Sequence, residues 1–291
     1  RHAEGLPLLR AALAAARAPG RAPSSAFLIP TLGGISRAEA ALGQGREARG
    51  TLAEALAIAL EAETGVELLT QNQFLVFFRN SAIVSVITVF VTMLISVTAA
   101  FALARMKFWG SATLATGVFL TYLIPDTLLF IPLFKMFAWV REYTGIELIN
   151  HWWTMIILYP TLTVPFATWI MIGYFASIPK ELDEAALIDG ASWTQTLTKI
   201  FIPVALPGII AATIFSFTVS WAQFLYPLAF TTSTSELVLP VGIVTTLIKG
   251  DVFNWGQIMT GALLGAAPPL IIYAFLMDYY IAGLTAGATK G

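Results

Sequence analysis

Between residues 178 and 203 the chain sets three carboxylates, Glu181, Asp183 and Glu184, directly before Ala185 and Ala186, with Asp189 and Gly190 following. Acids beside small residues make a surface that can seat closely in a groove, with Glu184 or Asp189 meeting a basic group on a partner. The same residues also suit a solvated amphipathic loop. Residues for covalent or metal chemistry are scarce. The chain has no cysteine, which excludes a disulfide framework, an iron–sulfur site and a thiol nucleophile. His2 and His151 are its histidines, and neither belongs to a helical His pair. There is no Gly-rich loop ending in Gly-Lys-Ser or Gly-Lys-Thr, so the chain is not expected to hydrolyse ATP alone.

One acid, Asp126, follows Pro125 inside an otherwise uncharged stretch. A charge at mid-bilayer costs about 2.5–3.5 kcal/mol on insertion scales, which makes such a residue a functional candidate. It suits a hydrogen bond to a solute hydroxyl. It equally suits a structural or gating place near the interface or against another subunit. Trp169, Tyr174, Trp221, Gln223, Phe224 and Tyr226 are further candidate lining groups. Aromatic faces stack on ring faces and Gln bonds hydroxyls, but packing or belt aromatics at the interface would look the same.

The elements that must position these groups are apolar helices. Hydrophobic residues make up 57% of the 291 and charged residues 11%, against about 25% charged in soluble domains. Mean hydropathy is +0.79. The net charge of -1 argues against a nucleic-acid partner, which calls for a basic face. A span needs about 20 mostly apolar residues. Five stretches qualify: Ser81–Ala104, Ser111–Phe134, Trp152–Ser177, Pro203–Phe230 and Gly256–Met277. The part of the fourth from about Leu225 reads as an exit loop. Backbone polar groups in lipid must be satisfied internally, so these spans are helices. Pro125, Pro132, Pro160, Pro165, Pro268 and Pro269 fall inside them, as kinks beside a translocation path or as packing devices.

Residues 1–70 differ. Their longest uncharged run, Ala22–Ser36, is short and holds Pro23 and Pro30, so it is no clear span. Thr51–Leu60 has helical character interrupted by Glu54, and no secretory-signal pattern is read. The basic residues divide weakly by side. Arg105, Lys107, Lys180, Lys199 and Lys290 fall on one side by alternation, and Arg79, Lys135, Arg141 and Lys249 on the other.

Local chemistry makes 178–203 a helix–turn–helix outside the bilayer. Pro179 suits a first turn, and the following acids suit the helix dipole. Gly190 fits a left-handed stop. Ser192 and Gln195 match a capping box that restarts a second helix.

This spacing resembles the EAA signature of ABC importer permeases: Glu-Ala-Ala, three residues, Gly, nine residues, Ile, one residue, Leu, Pro. The chain has Glu184-Ala185-Ala186, Gly190, Ile200, Ile202 in the place of Leu, and Pro203. Other segments are similar to the carbohydrate importers and, within them, to the smaller maltose-type permease subunit. These are Phe78-Arg79-Asn80-Ser81, Ala104-Arg105 with Phe108 and Gly110, Pro165-Phe166, Ile178-Pro179 and Ile188-Asp189-Gly190-Ala191. Leu239-Pro240-Val241-Gly242, Trp255-Gly256 and the closing Gly283–Gly291 continue the likeness. It covers about Phe74 to Gly291. Trp221-Ala222-Gln223-Phe224 departs from the usual Trp-Asn-x-Phe, and residues 1–70 show no match where the family has a first span and an external loop.

The resemblance implies an all-α integral membrane protein, a polytopic bundle of five spans with a sixth expected near the N-terminus, and a cytoplasmic coupling helix. Residues 1–70 would form an atypical N-terminal region and 71–291 the transmembrane domain. Glu184, Ala185, Ala186, Asp189 and Gly190 would couple to a dimeric ABC ATPase, which the tail Gly287–Gly291 would also touch. A second homologous permease would complete the pore, and an extracytoplasmic solute-binding protein would deliver a sugar or sugar derivative. ATP and Mg would be used by the ATPase, with no cofactor on this chain. The location would be the cytoplasmic (inner) membrane of a bacterium or archaeon, and the loop would fix its own side as cytoplasmic. An importer of a non-sugar solute is the alternative. An ion-coupled secondary transporter would call for repeats and paired intramembrane charges, and an embedded enzyme for clustered catalytic or metal residues.

Overall fold

A computed structural model describes residues 45–288, apart from 62, 72, 107, 250, 251 and 254, together with scattered positions before residue 40. His2, Lys107, Lys290 and most of the run Ala22–Ser36 lie outside the described residues. The helices are α1 Gly45–Glu61, α2 Glu63–Gln71, α3 Phe74–Arg105, α4 Ser111–Tyr122 and α5 Asp126–Thr144. They continue with α6 Thr154–Ser177, α7 Glu181–Ile188 and α8 Trp193–Val204. The last four are α9 Leu206–Ala222, α10 Leu225–Phe230, α11 Leu239–Leu247 and α12 Trp255–Ala288. One two-residue hairpin pairs β1 Ile248–Lys249 with β2 Val252–Phe253.

Among the described residues three helices are each long and apolar enough to cross a membrane: α3, α6 and the Trp255–Leu276 part of α12. The other two expected spans are each a bent pair of helices, and the described residues hold five spans if each pair counts as one. Ser111–Phe134 is not one helix but α4 and α5, bent by 97°. Pro125 stands at the break with extended backbone, φ -58° and ψ 131°, because proline offers no N–H and pushes the residue before it out of the helical region. Pro203–Phe230 is also divided. Helix α8 ends at Val204, one residue past Pro203, and α9 leaves it at 81° through Ala205. The ring of Pro207 would meet the carbonyl four residues back, so the helix cannot run on. The segment from Leu225, expected as an exit loop, is the short helix α10 with Tyr226, Pro227 and Phe230 buried. Pro132, Pro165, Pro268 and Pro269 lie within continuous helices.

Contacts group the chain into two compact units: Arg1–Ser81 with Thr232–Met277, and Ala82–Thr231 with Asp278–Gly291. In the first, Leu32, Leu52, Ala55 and Leu263 form a small core. The end of the first strong span is used there as a clasp. Asn80 Nδ2 donates to the carbonyls of Ser235 and Leu237, each at 2.9 Å, and Ser81 Oγ accepts from Leu239 N–H at 2.8 Å. That hydroxyl satisfies one of the donors left over at the start of α11. Gly242 lies so close to the Phe77 ring that a Cβ there would overlap it.

The second unit holds the candidate sites. Its core joins Val97, Ala100 and Phe101 of α3 to Ala167, Met171 and Phe175 of α6 and to Leu197 and Phe201 of α8. Phe101, Phe175 and Phe201 meet edge to face at 5.1–6.1 Å. Along α3, Ser85, Thr88, Thr92 and Ser96 are fully buried. Thr92 and Thr163 share a hydrogen bond of 2.6 Å, and Ser96 donates to the Val164 carbonyl. Val86, Phe90 and Leu94 of the same helix are exposed, an apolar ridge that suits lipid. Gly208 of α9 presses on the Tyr174 ring of α6 with no room for a Cβ.

Candidate functional site

The loop of 178–203 closes its own hydrogen bonds. Helix α7 starts after Lys180, with Glu181, Asp183 and Glu184 in its first turn, where the helix dipole favours negative charge. It starts just past Pro179 rather than with it. At its end Gly190 takes φ +75°, the left-handed stop that glycine enters without strain. Gly190 N–H donates to the Leu187 carbonyl at 3.1 Å and Ala191 N–H to the Ala186 carbonyl at 2.9 Å. This is the paired pattern of a Schellman stop. Ser192 and Gln195 then form the expected capping box, at 2.8 and 3.3 Å. Helix α8 follows, with a π-helical turn at Leu197–Phe201.

The side chains of α7 divide by face. Ala186, 4% exposed, is the buried residue of this helix. Glu184, Ala185, Asp189 and Gly190 are exposed. Beside them Leu182 and Leu187 are also exposed, and Ile188 is 86% exposed. Leu182, Leu187 and Ile188 thus leave an apolar patch open among acids, a surface of the kind that suits contact. Ala186 belongs to the packing beneath that surface, while Glu184 and Ala185 are on it.

Sequence reading missed what fastens this loop. Arg105, read there as a loop charge and as part of the likeness at the end of the first span, ends α3 with its side chain 4% exposed. It donates to Asp183 Oδ2 at 3.2 Å and to the Ile178 carbonyl. Its guanidinium lies 4.9 Å from the Phe201 ring centroid, within cation–π range. One side chain therefore touches the residue entering α7, an acid on α7 and the π-helical turn of α8. Basic character in the last turn of a helix was the one available sequence signal, and nothing in spacing pointed to Asp183.

A second feature lies at the break between α4 and α5. A cavity of about 350 Å³ is lined by Tyr122, Asp126, Thr161, Phe215 and Gln223, among others, a volume in the range of small-molecule sites. Asp126 is the first residue of α5 rather than a charge in mid-helix. Gln223 Oε1 accepts from the N–H groups of Phe224 and Leu225 at 2.9 and 3.1 Å, so it caps the step into α10. The other lining candidates stand elsewhere. Trp221 is buried and stacks on Phe217 at 5.5 Å. Tyr226 is buried beside Thr161, within electrostatic reach of Asp126. Neither these two nor Phe224 lines this cavity. Trp169 joins Phe119 and Phe166 in an aromatic cluster, and Tyr174 packs on Gly208. His151 stacks on Trp153 at 5.3 Å. Among the described residues no group of His, Asp or Glu could hold a metal ion.

Apolar spans, two of them broken, with a self-capped helix–turn–helix between them define a multi-pass membrane permease. The chain belongs to the family of binding-protein-dependent transport system inner membrane components, whose pattern matches residues 92–285. It is therefore a transport subunit of the inner membrane. It is 34% identical over 218 residues to the inner membrane ABC transporter permease protein YcjP of Escherichia coli, covering 75% of each chain. It is 33% identical to the sulfoquinovosyl glycerol transport system permease protein SmoH of Agrobacterium fabrum, covering 74% of this chain and 73% of that one. To the trehalose/maltose transport system permease protein MalG of Thermococcus litoralis it is 32% identical, covering 75% and 76%. The fold matches a chain of a bacterial ABC transporter involved in import of the acidic polysaccharide alginate, with TM-score 0.65 and 19% identity over 76% of this chain and 80% of that one.

Proposed function

We propose that this chain is one permease half of an ATP-driven importer for a sugar or sugar derivative, and that α7 is its docking point for the ATPase. The observation that carries the docking role is the face of α7. Glu184, Ala185, Leu187 and Ile188 stand exposed on a helix that ends in a Schellman stop and hands over to the capping box of α8. Small and apolar groups let a cleft approach closely, and Glu184 and Asp189 offer partners to basic residues at its rim. The sugar cargo is supported by the names of relatives, which transport sulfoquinovosyl glycerol and trehalose or maltose.

In this reading ATP and Mg act on the ATPase, a solute-binding protein delivers cargo from outside, and a second permease completes the path. Closure of the ATPase dimer displaces α7 and α8 as one body, and the spans alternate between inward and outward openings. The cavity beside the α4–α5 break belongs to that path. Asp126 and the Gln223 amide face a hydroxylated solute there, and Tyr122 and Phe215 offer aromatic faces.

The test is Glu184→Lys in the assembled transporter, where a cation replaces the acid on the exposed face. The expected result is loss of ATPase co-purification, or of transport-linked hydrolysis, with the permease still inserted. Full uptake of every sugar the wild type carries, with normal ATPase recovery, would remove the docking role from α7.

A further inference from the structure

The fastening of the loop reaches beyond docking. Arg105 is buried, yet its contacts lie on three different elements: the Ile178 carbonyl before α7, Asp183 on α7 and the Phe201 ring on α8. Asp183 is itself only 16% exposed at its side chain. A guanidinium holds such contacts in a fixed planar fork, which a lysine cannot copy. Buried pairs of this kind are weak devices for stability, because desolvation offsets much of the attraction. They are strong devices for position, since breaking one leaves a buried charge. The Phe201 ring beside the guanidinium is itself held edge to face by Phe101 and Phe175.

We propose that Arg105 is the positioning residue that makes α7 and the end of α3 a single rigid body, so that displacement of the docking helix is delivered to the spanning helix. This rests on the docking role of α7. Without Arg105, α7 would still present Glu184, Ala185 and Ile188 to an ATPase, because its own caps do not involve Arg105. Its movement would no longer be carried into α3. Docking and delivery are thus separable.

The chain lacks cysteine, so a spin label can be attached at each of two introduced cysteines without other changes. Thr98 on α3 and Glu181 on α7 are both exposed and are the positions to use, in the complete transporter with its ATPase. Distances are measured without nucleotide and after trapping with Mg-ATP and orthovanadate. With Arg105 present, one narrow distance is expected, the same in both states. In Arg105→Met the ATPase is expected to co-purify and hydrolyse ATP, while the trapped state loses the single distance and splits into two populations. Arg105→Lys, which keeps the charge and one contact, restores the single distance in part. An Arg105→Met complex with the wild-type distance in both states would overturn the proposal. So would a wild-type distance that changes on trapping. If Arg105→Met fails to assemble and Arg105→Lys does not restore assembly, Arg105 is a folding residue and the proposal is wrong. The Glu184→Lys complex separates the two readings. If it loses the ATPase while Arg105→Met behaves as wild type, docking stands and the joint falls. If Glu184→Lys keeps both ATPase and transport, the docking role itself has failed.

Discussion

Gly190 offers the sharpest test of how the loop is built. Its φ of +75° is left-handed, and a Cβ placed there would meet nothing within 4 Å. Gly190→Ala therefore adds no clash, and its cost is conformational alone. A non-glycine residue in the left-handed region loses about 1–2 kcal/mol, which is roughly a 5–30-fold change in an equilibrium. Opening of the turn frees the amides of Gly190 and Ala191, which are bonded to Leu187 and Ala186 in the closed form. Hydrogen exchange at those two amides, measured on the membrane complex, should quicken by about that factor in Gly190→Ala, since exchange reads local opening. Asn tolerates the left-handed region better than Ala, so Gly190→Asn should fall between Ala and wild type. Gly190→Pro removes the donor to Leu187 and fixes φ near -65°, so protection should be lost at Ala191 as well. Equal exchange in wild type and Gly190→Ala, or faster exchange in Asn than in Ala, would refute the stop as described.

Two further outcomes follow from close contacts elsewhere. Gly208→Ala puts a methyl into the Tyr174 ring, so the α6–α9 contact should weaken by about 1–3 kcal/mol; thermal melting of the detergent-solubilised complex checks this, and Tyr174→Ala in the same chain should recover part of the loss. Asn80→Ala leaves the carbonyls of Ser235 and Leu237 without their donor, at about 1–3 kcal/mol for buried groups. Limited proteolysis should then cut near residues 233–238 sooner than in wild type.

Local chemistry was legible in the sequence, and long-range placement was not. Gly190, Ser192 and Gln195 act within a turn or two of their neighbours, so residue type and spacing were enough to place the stop and the capping box. Helix α3 was equally plain, because an uncharged stretch of that length has no other form in lipid. Hydropathy could not see the 97° bend at Pro125, since the residues on both sides remain apolar. Asp126, read as a charge within a span, stands as the first residue of α5, just past that bend. The pairing of Arg105 with Asp183 joins residues 78 apart, and only the packing of α3 against α6 and α8 brings them together. Trp221 had the composition of a lining group and is buried on Phe217, whereas Trp169, of the same composition, stays half exposed beside Phe119 and Phe166, and Tyr174 is half-buried against Gly208. Burial on one side of a helix decides that, and residue type does not. Asp126 and Gln223 share a cavity, but the sequence gives no sign that Gln223 also caps α10.

The hydroxyls along α3 have a consequence for motion. Thr92 bonds Thr163, and Ser96 bonds the Val164 carbonyl, while the hydroxyls of Ser85 and Thr88 are buried without a hydrogen-bond partner. In lipid such side-chain bonds average about 0.6 kcal/mol each, little more than thermal energy. A hydroxyl can rotate and exchange one carbonyl for the next, so the two hydrogen bonds described across the α3–α6 seam are weak grips instead of one deep lock. Packed helices that slide by small steps are the substance of shear motion. The seam is lubricated by the same side chains that hold it closed.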